Sequence, residues 1–140
     1  MYQAELSLED QTYHVLTSEY VLSQKTDDNG RPTGQVRSGL IQLTLQGDHD
    51  ELLATWATEA NKQMDGKLTF YSIAADETAF KEINFEGGYC VSYREYFLPL
   101  TNELHLIGSP TGSTSYCMEI AISAAKLTID GQTHDNQWPA

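Results

Sequence analysis

The residues of this 140-residue chain that could carry chemistry are four histidines, two cysteines, twenty carboxylates, eight tyrosines and a scatter of serines. The histidines are His14, His49, His105 and His134. None stands at metal-ligand spacing from another, and no H-E-x-x-H occurs. His49 lies between Asp48 and Asp50, and His134 precedes Asp135. Cys90 and Cys117 match no zinc or redox spacing. Two readings stay open for them: free thiols acting as small apolar groups in a reducing compartment, or a disulfide between neighbouring strands. A serine nucleophile needs the strained G-x-S-x-G turn between strand and helix, and the sequence has none. The serines of Gly108-Ser109-Pro110-Thr111-Gly112-Ser113 sit in a Pro/Gly stretch instead. No G-x-x-x-x-G-K-[ST] phosphate cradle is present. An acid pair for glycoside hydrolysis rests only on the abundance of acids. The expectation is therefore no catalytic residue, no cofactor, no metal and no enzyme.

Charge narrows the partners. Eight Lys and Arg oppose twenty Asp and Glu, a net charge of −12. The cations Lys25, Arg31, Arg37, Lys62, Lys67, Lys81, Arg94 and Lys126 form no basic stripe. Nucleic acid binding requires clustered cations against phosphate, so nucleic acid and anionic membrane surfaces are set aside. The acidity itself serves solubility. The start Met1-Tyr2-Gln3-Ala4-Glu5-Leu6 has neither the basic nor the apolar segment of a secretory signal. No apolar run approaches the ~18 residues of a membrane span. The expected location is the cytoplasm, with any exit from the cell by a route that needs no signal peptide.

The elements that would position these residues are mostly strands. Ala4, Leu6 and Leu8 alternate with polar residues, as do Ile41, Leu43 and Leu45, and Met118, Ile120 and Ile122. Ile83 and Phe85 flank Asn84, and Leu16, Tyr20 and Leu22 share a parity within 12–24. Tyr89, Val91 and Tyr93 fall on one face of a further strand, with Ser92, Arg94 and Tyr96 on the other. A period of two gives a strand with one buried face. Turn residues separate these runs: Glu9-Asp10, Glu86-Gly87-Gly88 as a bend or bulge, and Asp130-Gly131, which suits a hairpin needing positive φ. Asp27-Asp28-Asn29-Gly30-Arg31-Pro32 is a longer polar loop.

One stretch breaks the pattern. Over about 48–64, Leu52, Trp56 and Ala60 recur at helical spacing, with Leu53, Ala57 and Met64 beside them. Asp48 and Glu51 form a capping pair at its start, and Asp65-Gly66 ends it. Trp56 is the expected anchor of this helix on the sheet. The stretch 98–115 admits either a strand over 103–107 or a long loop. The fold class is thus mainly β: two packed antiparallel sheets forming a β-barrel-like domain with one side helix, spanning 1–140 as one domain.

An ordered set of segments resembles the tube protein of type VI secretion systems, Hcp or TssD, in its Bacteroidetes form. The set opens with Gln3 to Leu8 and Tyr13 to Leu16, then Ser23-Gln24, Thr26-Asp27 and Gly30-Arg31-Pro32. Gly39 to Thr44, the helix with Trp56, Gly66 to Tyr71 and Tyr89 to Tyr93 follow. Ile120 to Ala125, His134 and Trp138 close it, while 98–116 does not align. The resemblance implies homo-hexameric rings that stack into a tube inside a contractile sheath, with spike and baseplate proteins as partners and effector proteins in the lumen. It implies a structural protein, cytoplasmic before firing and then secreted. The loop around Thr26 to Gly34, with Asp27, Asp28, Asn29, Gly30, Arg31 and Pro32 at its centre, corresponds to the extended loop by which one ring meets the next. Six such chains would carry about −72 per ring, so screening by salt is expected to favour stacking. The competing readings are a monomeric small-ligand or carbohydrate-binding barrel, a non-contractile tail-tube protein and an acidic hydrolase.

Overall fold

The computed structural model describes residues 2–47, 51–72, 79–97 and 116–138. The chain forms β1 (Tyr2–Leu8), β2 (Gln11–Glu19), β3 (Leu22–Ser23), β4 (Arg37–Ser38) and β5 (Ile41–Gln46). Helix α1 (Leu52–Thr58) follows, then β6 (Gln63–Ser72), β7 (Ala79–Phe97), β8 (Tyr116–Ser123), β9 (Lys126–Ile129) and β10 (Gln132–Asp135). Six strands close a barrel in the order β6-β1-β2-β5-β8-β7, because β7 pairs with both β6 and β8. Strands β9 and β10 extend the sheet from β7, and β3 with β4 make a small separate sheet. The described residues are mainly β with one helix, as expected. The two packed sheets are opposite walls of one closed sheet.

Alternation produces the core directly. Leu6, Leu8, Ile41, Leu43, Leu45, Ile83, Phe85, Met118, Ile120 and Ile122 all point inward and are buried. Fully burying an aliphatic or aromatic side chain contributes roughly 1.5–3 kcal/mol each, so this interior carries most of the stability. Among the described residues the inward side chains form one buried cluster inside the barrel.

Two bulges change which side chains face in. In β2 the register shifts between Val15 and Thr17 against β5. Tyr13 and Val15 are buried before the shift, Leu16 is only half-buried, and Tyr20 packs on the core after it. The expected single parity of Leu16, Tyr20 and Leu22 is therefore wrong for Leu16 and Leu22, since one extra residue flips the faces beyond it. Leu22 lies on the separate β3–β4 sheet and is 41% exposed. In β7 a shift between Cys90 and Ser92 does the same. It leaves Val91 53% exposed while Cys90 and Tyr93 pack on the core, so Tyr89, Val91 and Tyr93 do not share a buried face.

The helix is shorter than the apolar stripe predicts. It spans Leu52–Thr58, with Glu51 at the N-cap making no side-chain cap bond. Asp48 lies outside the described residues. Glu59 is already extended and Asn61 turns the chain at φ 61. From Gln63 the chain joins β6, so Met64 is buried as a strand residue, Ala60 is exposed, and Gly66 is mid-strand rather than a helix end. Gly66 sits opposite Leu8 and Phe85 in the barrel wall. A Cβ there would lie 2.4 Å from Phe85 Cζ and 2.7 Å from Leu8 Cδ2, so the glycine serves close packing. Trp56 is the anchor expected: its ring lies parallel to Phe85 at 6.5 Å, and its indole N–H points at the carbonyls of Lys62 and Gly88, each at 3.1 Å.

The turns follow their residue types. Glu9-Asp10 joins Leu8 to Gln11 in a two-residue hairpin. Asp130 and Gly131 take φ 50 and 84 between the paired Ile129 and Gln132, a primed turn. Gly87, at φ 63, is the bulge expected in β7, and its N–H donates to the Asp65 carboxylate at 2.8 Å. The alternative strand over 103–107 lies outside the described residues.

Candidate functional site

Among the described residues, the β2–β5 connection is a long segment that leaves the barrel wall. It folds as an arm over residues 21–40. Every residue from Val21 to Gln35 is exposed, so no apolar burial holds it. Hydrogen bonds hold it instead. Leu22 pairs with Ser38 and Ser23 with Arg37 at the base. Gly39 N–H donates to Val21 O at 2.8 Å, and Thr26 bridges to Pro32. At the tip the Asp27 carboxylate accepts from the backbone N–H of both Asn29, at 2.8 Å, and Arg31, at 2.9 Å. Gly30 N–H donates to Asp27 O while Gly30 takes φ 85, a conformation that glycine adopts without strain. Asp27, Asp28, Asn29, Gly30, Arg31 and Pro32 thus form the compact tip of a projecting hairpin.

The arm is clamped to the barrel by one side chain that sequence reasoning missed. Asn136 is 8% exposed. Its Oδ1 accepts from Ser38 N–H at 3.1 Å, and its Nδ2 donates to Ser38 Oγ at 2.6 Å and to Ala124 O at 2.8 Å. His134 Nε2 lies 3.0 Å from the same Oδ1. This side chain joins β4, the β8–β9 connection and the chain end. Ser38 and Asn136 stand 98 positions apart, so no local pattern announces the pairing.

The apolar groups around the arm are unusual for an exposed segment. Val21 is 53% exposed, and Leu22 and Leu40 are each 41% exposed. They gather at the arm base, where β2 and β5 leave the barrel. The barrel surface carries Val91, Phe97 and Trp138, of which Phe97 stacks on Tyr116 at 4.7 Å and Trp138 on Tyr89 at 5.5 Å.

Both cysteines are free, which settles the open choice in favour of thiols. Burial pushes the Cys90 thiol up, against a smaller opposing effect of the Ser92 backbone, so it lacks the thiolate character of a nucleophile. Desolvation and then the hydrogen bond to Glu95 raise the Tyr93 phenol well above its ordinary range. Among the described residues no three His, Cys, Asp or Glu gather to hold a metal. His49 and His105 lie outside those residues. Surface clefts of about 290 Å³, against β2, β5, β7 and β8, and about 310 Å³, between α1 and β7, are open and shallow. Among the described residues no helix is long and apolar enough to cross a membrane.

Comparison with known proteins matches this architecture. The family model described as "Hemolysin coregulated protein Hcp (TssD)" matches residues 1–139. The structure of Hcp1 from Flavobacterium johnsoniae is 27% identical, with a TM-score of 0.80 over 96% of this chain and 99% of that one. An Hcp1 mutant of Escherichia coli shares the fold at 16% identity and TM-score 0.65, covering 98% of both chains. Hcp1 from Salmonella typhimurium does so at 10% identity and TM-score 0.66, over 95% of this chain and 91% of that one. No curated protein sequence matches the chain.

Proposed function

The chain belongs to the Hcp (TssD) family, the structural tube proteins of type VI secretion systems, and from that premise we propose that it closes into hexameric rings which stack through the arm into an effector-carrying tube. A structural tube subunit needs no catalytic residue, which agrees with a sequence that carries no catalytic motif. Its partners in this reading are copies of itself, the sheath around the tube, the spike and baseplate at its end, and effector proteins in the ring lumen. It acts as a single domain over 1–140, held in the cytoplasm until firing and then secreted.

The observation that carries the stacking role is the arm. A fifteen-residue exposed run, Val21 to Gln35, that is nonetheless hydrogen-bonded at its base and tip is a pre-ordered surface. Pre-ordering lowers the entropy lost on contact with a partner. Asp27 spends its carboxylate on the tip turn, leaving Asp28, Asn29 and Arg31 to face outward.

Light scattering after size exclusion tests ring formation. The expected mass is about 94 kDa, six times the 15.6 kDa chain; a clean monomer would overturn the ring. Replacing Asp27 to Arg31 by a short Gly-Ser turn tests stacking. The expected outcome is intact rings that no longer form tubes in negative-stain images. Tubes of wild-type length from that variant would remove the arm from the interface.

A further inference from the structure

The ion pairs divide the molecule unevenly. Four of its eight cations are matched inside the chain: Lys62 with Glu59 at 3.4 Å, Lys67 with Glu82 at 3.7 Å, Lys81 with Asp130 at 3.1 Å and Arg94 with Glu119 at 3.0 Å. All four belong to the barrel or the α1–β6 connection. Among the described residues Lys25, Arg31, Arg37 and Lys126 make no ion pair, and the first three all lie on the arm. Lys126 at least faces Glu86 across the β9–β7 register. Over residues 21–38, three cations stand against Asp27 and Asp28, a net charge of +1 within a chain of −12. The arm is thus the cationic exception on an acidic protein, and its cations meet no acid among the described residues.

Acids without ion pairs are spread over the described residues, and three of them gather away from the arm. The β1–β2 turn presents Glu9 and Asp10, and register places Leu8 opposite Gly66, so Asp65 stands beside that turn in the next strand. Among the described residues none of these three makes an ion pair. Strand β2 runs from the Glu9–Asp10 turn to the arm, nine residues or roughly 30 Å at 3.3 Å per residue. The unpaired cations and these unpaired acids therefore sit beyond opposite ends of one strand, and a chain cannot bring its own two sets together.

We propose that the arm of one copy docks on the Glu9, Asp10 and Asp65 turns of a second copy, with Lys25, Arg31 and Arg37 supplying the opposite charge. The partner is a second copy of this chain. Such a contact is head-to-tail, so it leaves a free arm and a free acidic turn at the two ends and propagates. It also answers the repulsion between acidic rings, because attraction at the contact is short-ranged while the net charge is spread over the whole surface. The exposed Val21, Leu22 and Leu40 at the arm base would be covered by the same approach. The inference rests on the stacking reading and adds the partner surface to it.

The test compares variants of the full chain at one fixed ionic strength, with stacked rings measured by sedimentation. Lys25→Glu/Arg31→Glu/Arg37→Glu is expected to lower the stacked fraction at least tenfold while single rings persist. Glu9→Lys/Asp10→Lys is expected to do the same; Asp65 is left alone because it also holds Gly87 N–H. Combining both sets in one chain restores opposite charge across the contact, and stacking is expected to return. If the charge-reversed arm stacks like wild type while the Gly-Ser arm does not, the electrostatic docking is overturned and the stacking reading stands. If the Gly-Ser arm also stacks like wild type, the stacking reading itself falls. If each reversal blocks stacking but the combination fails to restore it, the acidic turns are not the acceptor and the proposal is overturned.

Discussion

Barrel and arm are built on opposite terms. The barrel closes on itself: its strands find partners on both sides, its apolar faces are inside, and its cations are mostly matched. The arm is fully exposed over Val21 to Gln35, keeps its shape through short-range hydrogen bonds and one distant clamp, and leaves its cations without an ion pair among the described residues. The difference teaches that the barrel carries stability, and on the proposed reading recognition falls to the arm. A strand whose edge and face are both satisfied offers little to a neighbour, whereas a rigid hairpin with unmet charge offers a great deal.

Substitutions in the two regions should therefore fail in different ways. The largest effect belongs to the barrel. Trp56→Ala removes the ring parallel to Phe85 and leaves the Lys62 and Gly88 carbonyls without their indole donor. A loss of about 3–5 kcal/mol in urea unfolding is expected, and a loss below 1 kcal/mol would show that the helix is not anchored there. Gly66→Ala comes next, because its Cβ would collide with Phe85 and Leu8 in the barrel wall. It should cost roughly 1–3 kcal/mol by overpacking, read in the same unfolding experiment.

Asn136→Ala probes the joint between the regions. It orphans Ser38 N–H and the Ala124 carbonyl, with an expected cost of about 1–3 kcal/mol. Its signature should be faster amide exchange at Ser38 and the arm base, with exchange in β1 and β6 unchanged. Uniformly faster exchange would mean that arm and barrel unfold as one unit. Smallest of all, Arg94→Ala removes an exposed pair with Glu119 that water screens, so stability should stay near wild type, visible only as a shift of a few degrees or less in thermal melting. The Gly-Ser arm should likewise leave the melting temperature near wild type while stacking is lost. A large drop in melting temperature from that variant would erase the distinction between the two regions.

Much of this was legible in the residues. Strict alternation in β1, β5 and β8 put Ala4, Leu6 and Leu8, then Ile41, Leu43 and Leu45, then Met118, Ile120 and Ile122 inside, and the same side chains are inside in the structure. Asp130-Gly131 and Glu9-Asp10 turned where their chemistry suggested. The loop from Asp27 to Pro32 was visible as a polar interruption. Its character as a braced, cation-bearing arm was not, since that depends on what Lys25, Arg31 and Arg37 fail to meet.

What the sequence determined by itself is the alphabet of the fold: strands of one buried face, one short amphipathic helix seated by Trp56, and a family membership spread over the whole chain. Those follow from side-chain period and turn chemistry, which act over a few residues. Tertiary structure alone decided the inward faces past Leu16 and Val91, the end of the helix at Thr58, and the clamp of Asn136 on Ser38. Each of these is settled by pairing between distant segments. A bulge is defined by the strand across from it, β6 captures residues that local pattern assigned to a helix, and a buried amide bonds whichever chain the barrel brings within 3 Å.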